Sequence, residues 1–171
     1  RQRRRTNPDQ PPDERSRLGR DQVLLAVRCP EGHLSPATNF RCRTCGSELE
    51  PQAPLEVVAP TVGHLQLPNG ESVSIDRNLL IGRRPRVSSD YRPASPTLII
   101  IDDPSHNVSA SHLEIIVDYW RVMARDLGST NGTVILTPSG KQVPLRAGDS
   151  IELEPGSNIV LGGEICLKFE L

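Results

Sequence analysis

Aromatic residues are scarce in this chain, whose 171 residues include two Phe, two Tyr and one Trp. A hydrophobic core must therefore be built from aliphatic side chains. Proteins that bind single-stranded nucleic acids stack the bases on aromatic rings, and a chain with so few rings is poorly suited to that role. Long apolar runs are also missing, because stretches such as VLLAV (23–27) are far shorter than the roughly 20 residues that cross a bilayer.

Charge is concentrated at one end of the chain. The net charge is −1, but residues 1–20 contain seven arginines, three acidic residues and three prolines. This segment lacks an apolar pattern, so residues 1–21 are predicted to be a disordered basic linker. It is expected either to be simply solvated or to lie beside a membrane or another anionic partner. No export signal is visible, which favours a cytoplasmic location, either for the chain by itself or as the cytosolic part of a larger or membrane-associated protein.

The rest of the chain divides into three parts. Residues 22–50 hold three of the four cysteines and are predicted to be a small separate module. Residues 51–62 contain three prolines and are predicted to be a linker. Residues 63–171 show strand and turn patterns with no convincing amphipathic helix, so an all-β sandwich or barrel is predicted there.

Short strands separated by turn sequences recur along residues 63–171. Asn69 and Gly70 predict a hairpin turn between HLQL and ESVSI, and further hairpins are predicted for TVILT–PSGK–QVPL and DSIELE–PGSN–IVLG. In the last strand, Ile165, Leu167 and Phe169 alternate with polar neighbours, as expected of a strand with one buried face. In such folds the loops at one end of the scaffold usually carry recognition.

Four polar side chains lie at the ends of predicted strands: Arg83, Ser109, Thr130 and Asn131. They are not accompanied by a nucleophile with its base, a catalytic triad or a nucleotide-binding loop, so an enzyme is not expected. Together they offer a guanidinium, two hydroxyls and an amide. A phosphate ester suits such a set, because it carries nearly two negative charges and three strong acceptor oxygens.

The same loops carry a series of short motifs in a fixed order. These are IGRRP (81–85), NVSASHLEI (107–115), DLGSTNGT (126–133), LRAGDSIEL (145–153) and IVLG (159–162). The series resembles the forkhead-associated (FHA) domain, a β-sandwich that binds phosphothreonine. The resemblance runs from about residue 64 to residue 171 and implies an FHA-type sandwich of about eleven strands.

The resemblance also implies roles for individual residues. Arg83 would contact the phosphate, Ser109 would donate its hydroxyl to a phosphate oxygen, and the polar side chains of DLGSTNGT would face the peptide. Ala110 stands where the family often has a residue able to donate to phosphate, and Arg84 and Arg86 could compensate for that loss. The implied phosphopeptide-binding residues are therefore Arg83, Arg84, Ser109, Ala110, Thr130 and Asn131, and the residues implied to support the loops are Gly82, His112 and Gly132.

Four possible metal ligands lie in the cysteine segment CPEGHLSPATNFRCRTCG (29–46): Cys29, His33, Cys42 and Cys45. Such a set suits a tetrahedral, structural Zn²⁺, and the segment resembles a zinc ribbon in which a histidine, displaced by one position, replaces the second cysteine. A disulfide and free thiols are the alternatives. A module of this size needs a metal or a disulfide to fold, and zinc is favoured over a disulfide because no export signal is seen.

The sequence as a whole predicts a non-enzymatic adaptor in Ser/Thr kinase signalling. The sandwich would bind a Thr-phosphorylated protein or peptide, and a zinc-stapled module would precede it. Two alternatives stay open. One is an FHA scaffold whose degenerate pocket binds independently of phosphate. The other is a zinc-ribbon protein that binds nucleic acid, for which Arg41 and Arg43 supply only a small basic footprint.

Overall fold

A computed structural model of the chain describes residues 23–91 and 95–171, so the predicted basic linker over residues 1–21 lies outside the described residues. Within the described ranges the chain forms fourteen strands, and it has no helix long and apolar enough to cross a bilayer. The strands are β1 (Val23–Arg28), β2 (Leu34–Pro36), β3 (Leu55–Val58), β4 (His64–Gln66), β5 (Ser72–Ser74), β6 (Leu79–Gly82), β7 (Thr97–Ile100), β8 (Leu113–Asp118), β9 (Arg121–Asp126), β10 (Thr133–Leu136), β11 (Gln142–Leu145), β12 (Ser150–Glu152), β13 (Asn158–Leu161) and β14 (Ile165–Glu170).

Two sheets form a sandwich from β4 onward. The six-stranded sheet has the order β11-β10-β13-β14-β4-β5, and the five-stranded sheet has the order β12-β9-β8-β6-β7. Together they hold eleven strands, six plus five, which confirms the predicted all-β sandwich. The named strands pair antiparallel except β6 and β7, which run parallel.

The core of the sandwich is aliphatic, as the scarcity of aromatic residues requires. In β14, Leu167 and Phe169 are buried while Cys166 and Lys168 are exposed, so the predicted alternation is confirmed. Each fully buried Leu, Ile or Phe contributes about 1.5–3 kcal/mol of transfer free energy. The largest fully buried side chains are Phe169, Leu65, Ile75, Leu79, Ile81, Leu113, Ile115, Ile135, Ile159, Leu161, Leu167 and His112.

The predicted hairpin DSIELE–PGSN–IVLG is wrong. β12 pairs with β9 in the five-stranded sheet, whereas β13 pairs with β10 and β14 in the six-stranded sheet. The intervening segment crosses from one sheet to the other, and Gly156 donates its N–H to the carbonyl of Phe169 at 2.7 Å on the way. A sheet crossing and a hairpin use the same turn residues, so the local pattern does not distinguish them.

The parallel strands β6 and β7 are joined by a connection whose described residues are 83–91 and 95–96, because two parallel strands cannot be joined by a tight hairpin. Tyr91 of this connection docks on the outer face of the five-stranded sheet. Its hydroxyl donates to Glu114 Oε1 at 2.8 Å and accepts from Asn78 Nδ2 at 3.1 Å. Glu114, which also pairs with Arg125, is consequently buried although it does not belong to the core between the sheets.

A separate three-stranded sheet, β2-β1-β3, precedes the sandwich. The prediction of a linker over residues 51–62 is wrong for Leu55–Val58, because this segment is β3 and pairs with Val23–Ala26 of β1. The prolines at 54 and 60 flank the strand and do not interrupt it, and two valines favour a pleated conformation. We call residues 23–58 the N-terminal module.

The two ends of the sandwich carry different structures. The loop end comprises residues 83–86, 101–112, 127–132 and 146–149, which surround the beginning of β8 and the end of β9. The opposite end carries Tyr119 and Trp120, the turn between β8 and β9. Because β8 has six residues, the two ends lie roughly 20 Å apart.

Candidate functional site

Asp126, the last residue of β9, organises the loop that leads into β10. Its carboxylate accepts from the N–H groups of Gly128 at 2.8 Å and Ser129 at 2.9 Å, and from the hydroxyls of Ser129 at 2.6 Å and Thr133 at 2.7 Å. Burial acts to raise the pKa of Asp126, but these donors outweigh it and the pKa lies below its ordinary value. The carboxylate therefore stays ionised and fixes the loop, and Ser129 faces inward, unlike the sequence-based expectation that it faces a peptide.

His112 connects this loop with the one before β8. Its Nδ1 accepts from the N–H of Ser109 at 3.0 Å, and its Nε2 lies 2.9 Å from the carbonyl of Gly132 and 3.1 Å from Thr133 Oγ1. A nitrogen that accepts from an amide carries no proton, so the ring is neutral and its Nε2–H donates. Burial is the main cause that lowers the pKa of His112. The 3.9 Å approach of Nε2 to Asp126 is therefore not an ion pair.

Ser109 and Asn131 each have side-chain donors or acceptors that no protein group uses. The Oγ of Ser109 accepts from the N–H of Thr130 at 3.0 Å, which leaves the hydroxyl proton free to be donated. Asn131 uses one N–H of its amide on the carbonyl of Asn107 at 3.0 Å, which leaves its Oδ1 and its second N–H. Thr130 and Asn131 are both exposed at the rim of the loop end.

Arg83 lies beside Ser109, directly after β6. Its N–H donates to the carbonyl of Ser109 at 3.1 Å, its Nε donates to the carbonyl of Val108, and Nη1 lies 3.3 Å from His106 Nδ1. The side chain is half-buried. A guanidinium has five N–H donors, so three remain available to a ligand.

His106 and Asn107 make contacts at the loop end that the sequence does not predict. His106 reaches Arg83 through a ring nitrogen, from a residue with a positive φ of 57°. Asn107 holds Asn131 through its backbone carbonyl. A carbonyl gives no side-chain signal, and an exposed histidine in a loop has no characteristic neighbours, so neither contact could be found from the sequence.

Gly82 allows β6 to approach the Ser109 loop closely. Arg84 donates its N–H to the carbonyl of Ala110 at 3.0 Å. A Cβ at position 82 would lie 2.0 Å from that carbonyl oxygen and 2.9 Å from the carbonyl oxygen of Ser109. Glycine is therefore required here by proximity. Ala110 itself is exposed, and its methyl side chain offers no donor to a ligand.

Replacing Gly82 with alanine is expected to displace residues 109–111 and to lower the free energy of unfolding by about 2 kcal/mol or more, since an added methyl in a tightly packed place costs about 1–3 kcal/mol. Urea denaturation and the amide NMR shifts of Ser109–His112 would measure both effects. Gly140→Ala is the control. It strains a residue with φ of 87° in the β10–β11 turn but should leave those amides in place, and equal shifts in both variants would contradict the role of Gly82.

All nine residues predicted for phosphopeptide binding and its support lie together at the loop end: Gly82, Arg83, Arg84, Ser109, Ala110, His112, Thr130, Asn131 and Gly132. Hydrogen bonds between loops hold them there. The free donors at the rim are a guanidinium, a hydroxyl and an amide. Such a rim can bind an anion with several oxygens, and it offers no nucleophile with an adjacent base.

Residues 79–162 match the family model of the FHA domain. The chain contains an FHA domain. FHA domains are phosphopeptide-binding modules and not enzymes. The match covers β6 to the end of β13, and it therefore includes all three loops that carry the predicted site residues.

Solved FHA domains resemble the structure. The FhaA FHA domain, complexed with the intracellular domain of Rv3910, is 27% identical with a TM-score of 0.45, over 63% of this chain and 99% of that chain. The FHA domain of an Arabidopsis thaliana hypothetical protein is 23% identical with a TM-score of 0.47, over 64% and 84%. That of Chlamydia trachomatis CT664 is 20% identical with a TM-score of 0.47, over 64% and 96%. No curated protein gives a significant sequence match.

The N-terminal module, outside the FHA domain, carries a cluster of metal-binding side chains. One ligand atom from each of Cys29, His33, Cys42 and Cys45 lies within 4.8 Å of the others, so the four could hold a metal ion. Cys29 Sγ is 3.5 Å from His33 Nδ1 and 3.8 Å from Cys45 Sγ. A tetrahedral zinc with ordinary bond lengths would separate sulfur from nitrogen by about 3.5 Å and sulfur from sulfur by about 3.8 Å. No disulfide links the four cysteines of the chain, all of which lie within the described residues.

Neighbouring groups favour the thiolate form of two of these cysteines. The Ser47 hydroxyl, 3.1 Å from the sulfur, is the main cause that lowers the pKa of Cys45 to about 7. Burial acts to raise the pKa of Cys42, but the N–H groups of Cys45 and Thr44 and the Ser35 hydroxyl outweigh it and lower the pKa. Thiolates are the form that binds metal, so Cys42 and Cys45 are suited to zinc, whereas burial raises the pKa of the third cysteine, Cys29.

The N-terminal module contacts the FHA domain through Arg43, which lies between Cys42 and Cys45. The Arg43 guanidinium stacks 5.4 Å from the centroid of the Trp120 ring, and Nη2 donates to the Trp120 carbonyl at 3.3 Å. A cation–π contact of this kind contributes about 0.5–2 kcal/mol. The module therefore lies at the end of the sandwich opposite the loop end. A cleft of about 470 Å³ separates the two parts, and its walls include Arg43 and His64.

Proposed function

We propose that the FHA domain binds phosphothreonine-containing segments of other proteins at its loop end. The main support is the way Ser109 is bonded. Its oxygen already accepts from the N–H of Thr130, so the hydroxyl is oriented to give its proton to an incoming acceptor, next to a guanidinium with three free N–H groups. A phosphate oxygen is such an acceptor.

Arg83 supplies the charge in this scheme. Its Nε is bonded to the Val108 carbonyl, which fixes the plane of the guanidinium, and the remaining N–H groups can donate to two phosphate oxygens. The backbone N–H of the same residue donates to the carbonyl of Ser109 at 3.1 Å, which keeps the two residues next to each other. Asn131 would hold the peptide main chain with its free amide groups, and the exposed Thr130 would border the phosphorylated residue.

With such a site the protein would be a non-enzymatic adaptor that binds proteins phosphorylated by Ser/Thr kinases. We place it in the cytoplasm, where kinases act and cysteines stay reduced. The γ-methyl of threonine distinguishes phosphothreonine from phosphoserine. Burial of one methyl is worth about 0.8 kcal/mol, which corresponds to a preference of a few-fold.

A phosphothreonine peptide library, measured by calorimetry against the same peptides without phosphate, tests this function. We expect binding only of the phosphorylated peptides, and a few-fold weaker binding of phosphoserine versions. Equal affinities with and without phosphate would instead establish a phosphate-independent scaffold, in which Ala110 marks a degenerate pocket.

We also propose that the N-terminal module binds a structural zinc ion, with Cys29, His33, Cys42 and Cys45 as ligands. A zinc ion held by three thiolates and a neutral imidazole carries a net charge of −1. Arginines surround the site: Arg28 donates to the carbonyl of Gly32 at 3.0 Å, and Arg41 donates to that of Gly46 at 3.3 Å. Four protein ligands leave no position for water, so zinc would hold the module together without catalysing a reaction.

A further inference from the structure

Two arginines at the loop end, Arg84 and Arg86, are given no contact with the phosphothreonine in the function proposed above. Arg84 and Arg86 are exposed on either side of the buried Pro85. Two residues of extended chain span at most about 7 Å, so the two side chains leave the backbone close to each other. Proline fixes the backbone between them, since its φ is restricted to about −65°.

The backbone of this segment is bonded to the loop that carries Ser109. Arg84 donates its N–H to the carbonyl of Ala110 at 3.0 Å, and Arg86 donates its N–H to Ser111 Oγ at 3.1 Å. Both arginines therefore start from a backbone that is fixed next to the hydroxyl we assign to the phosphate. A second anionic group on a peptide bound there would lie within reach of their long side chains.

Arg84 and Arg86 differ from several other arginines of the FHA domain, which form ion pairs with carboxylates. Away from the loop end, Arg77 pairs with Asp76, Arg121 with Asp118 and Glu152, and Arg125 with Glu114. Among residues 23–91 and 95–171, no carboxylate lies within 4.0 Å of the four arginines at the loop end, which are Arg83, Arg84, Arg86 and Arg146. Among the described arginines of the FHA domain, those without a carboxylate partner thus all lie at the loop end, where a ligand would bind.

We propose that Arg84 and Arg86 form a second anion subsite, which binds a negatively charged group close to the phosphothreonine. The preferred ligand is then a peptide with two anionic groups, the second being either another phosphate or a glutamate or aspartate side chain. This specificity presupposes the phosphothreonine binding proposed above.

The test uses one peptide sequence in several forms, measured by calorimetry at about 150 mM salt, where long-range charge effects are screened beyond roughly 8 Å. One form carries phosphothreonine with neutral neighbours. Two further sets scan either a glutamate or a phosphoserine through the flanking positions, and a last form has two glutamates but no phosphothreonine. The proteins are the unmodified chain, R84A/R86A, and the matched control R77A/K141A. The control removes two positive charges from exposed positions away from the loop end.

We expect at least one doubly anionic peptide to bind the unmodified chain about tenfold more tightly than the singly phosphorylated one. R84A/R86A should abolish that difference, so that the doubly anionic and the singly phosphorylated peptides bind this variant equally tightly, whereas R77A/K141A should retain the difference. If the glutamate peptides bind more tightly, the subsite prefers a carboxylate, and if the phosphoserine peptides do, it prefers a phosphate. No gain with any peptide, or an equal loss in the control, would overturn the subsite but leave the proposed function intact. If no phosphothreonine peptide binds, the proposed function itself fails.

Discussion

Replacing Arg83 with alanine is expected to weaken binding of a phosphothreonine peptide by on the order of 100-fold or more. The substitution removes the guanidinium that would pair with the phosphate, and hydrogen bonds to charged groups are worth about 1.5–3 kcal/mol each. Calorimetry with a phosphorylated peptide measures the loss. Because Arg83 also holds the Val108 carbonyl, the thermal midpoint of the variant should be recorded with the affinity.

Two further variants separate charge from geometry at this position. Arg83→Lys keeps the positive charge but loses the planar fork, and an intermediate affinity is expected. Arg77→Ala removes an arginine that pairs with Asp76 away from the loop end, and it should bind like the unmodified chain. An Arg83→Ala protein that binds the phosphopeptide within about twofold of the unmodified chain would disprove the assignment of Arg83 to the phosphate.

Removal of the proposed zinc ion is expected to unfold the N-terminal module and to leave the FHA domain folded. In small zinc domains the free energy of metal binding is the free energy of folding, on the order of 10 kcal/mol. Either a strong chelator or Cys42→Ser should therefore release β1–β3. Peptide affinity should change by less than about twofold, because the loop end lies roughly 20 Å from Trp120 along β8.

The chain contains one tryptophan, so its fluorescence reports directly on the contact between module and domain. Chelation should remove Arg43 from the Trp120 ring and shift the emission, and native mass spectrometry should count one zinc per chain before chelation. Cys166→Ser is the matched control, because Cys166 is exposed on β14 and lies outside the ligand cluster. Equal zinc content in Cys42→Ser and Cys166→Ser would exclude Cys42 as a ligand.

The strands of the sandwich could be predicted because alternation is a local property. Leu167 and Phe169 show it in β14, and the turn at Asn69 and Gly70 joins β4 to β5 as expected. The sheet to which each strand belongs could not be predicted from alternation. The strands β12 and β13 are separated by ordinary turn residues and yet belong to different sheets. The parallel pairing of β6 with β7 could not be predicted from the sequence pattern either, because alternation within a strand does not show the direction of its neighbour.

The residues of the candidate site could be named from the order of their motifs. Which of them stabilise the loops and which are exposed to a ligand could not be predicted. Thr130, Asn131 and Ser129 are adjacent in the chain, and only the structure shows that Ser129 faces Asp126 while the other two are exposed. The requirement for Gly82 follows from a carbonyl 28 positions later in the chain, at Ala110. Contacts of this range have no local signature, and backbone acceptors such as Asn107 have no side-chain signature at all.

The placement of Arg43 on Trp120, at the far side of the sandwich from Ser109, has one more consequence. A short peptide bound at the loop end would lie roughly 20 Å from Trp120 and would leave the N-terminal module exposed. Perturbations introduced at the two poles share no contacts, and their free-energy effects are expected to be additive.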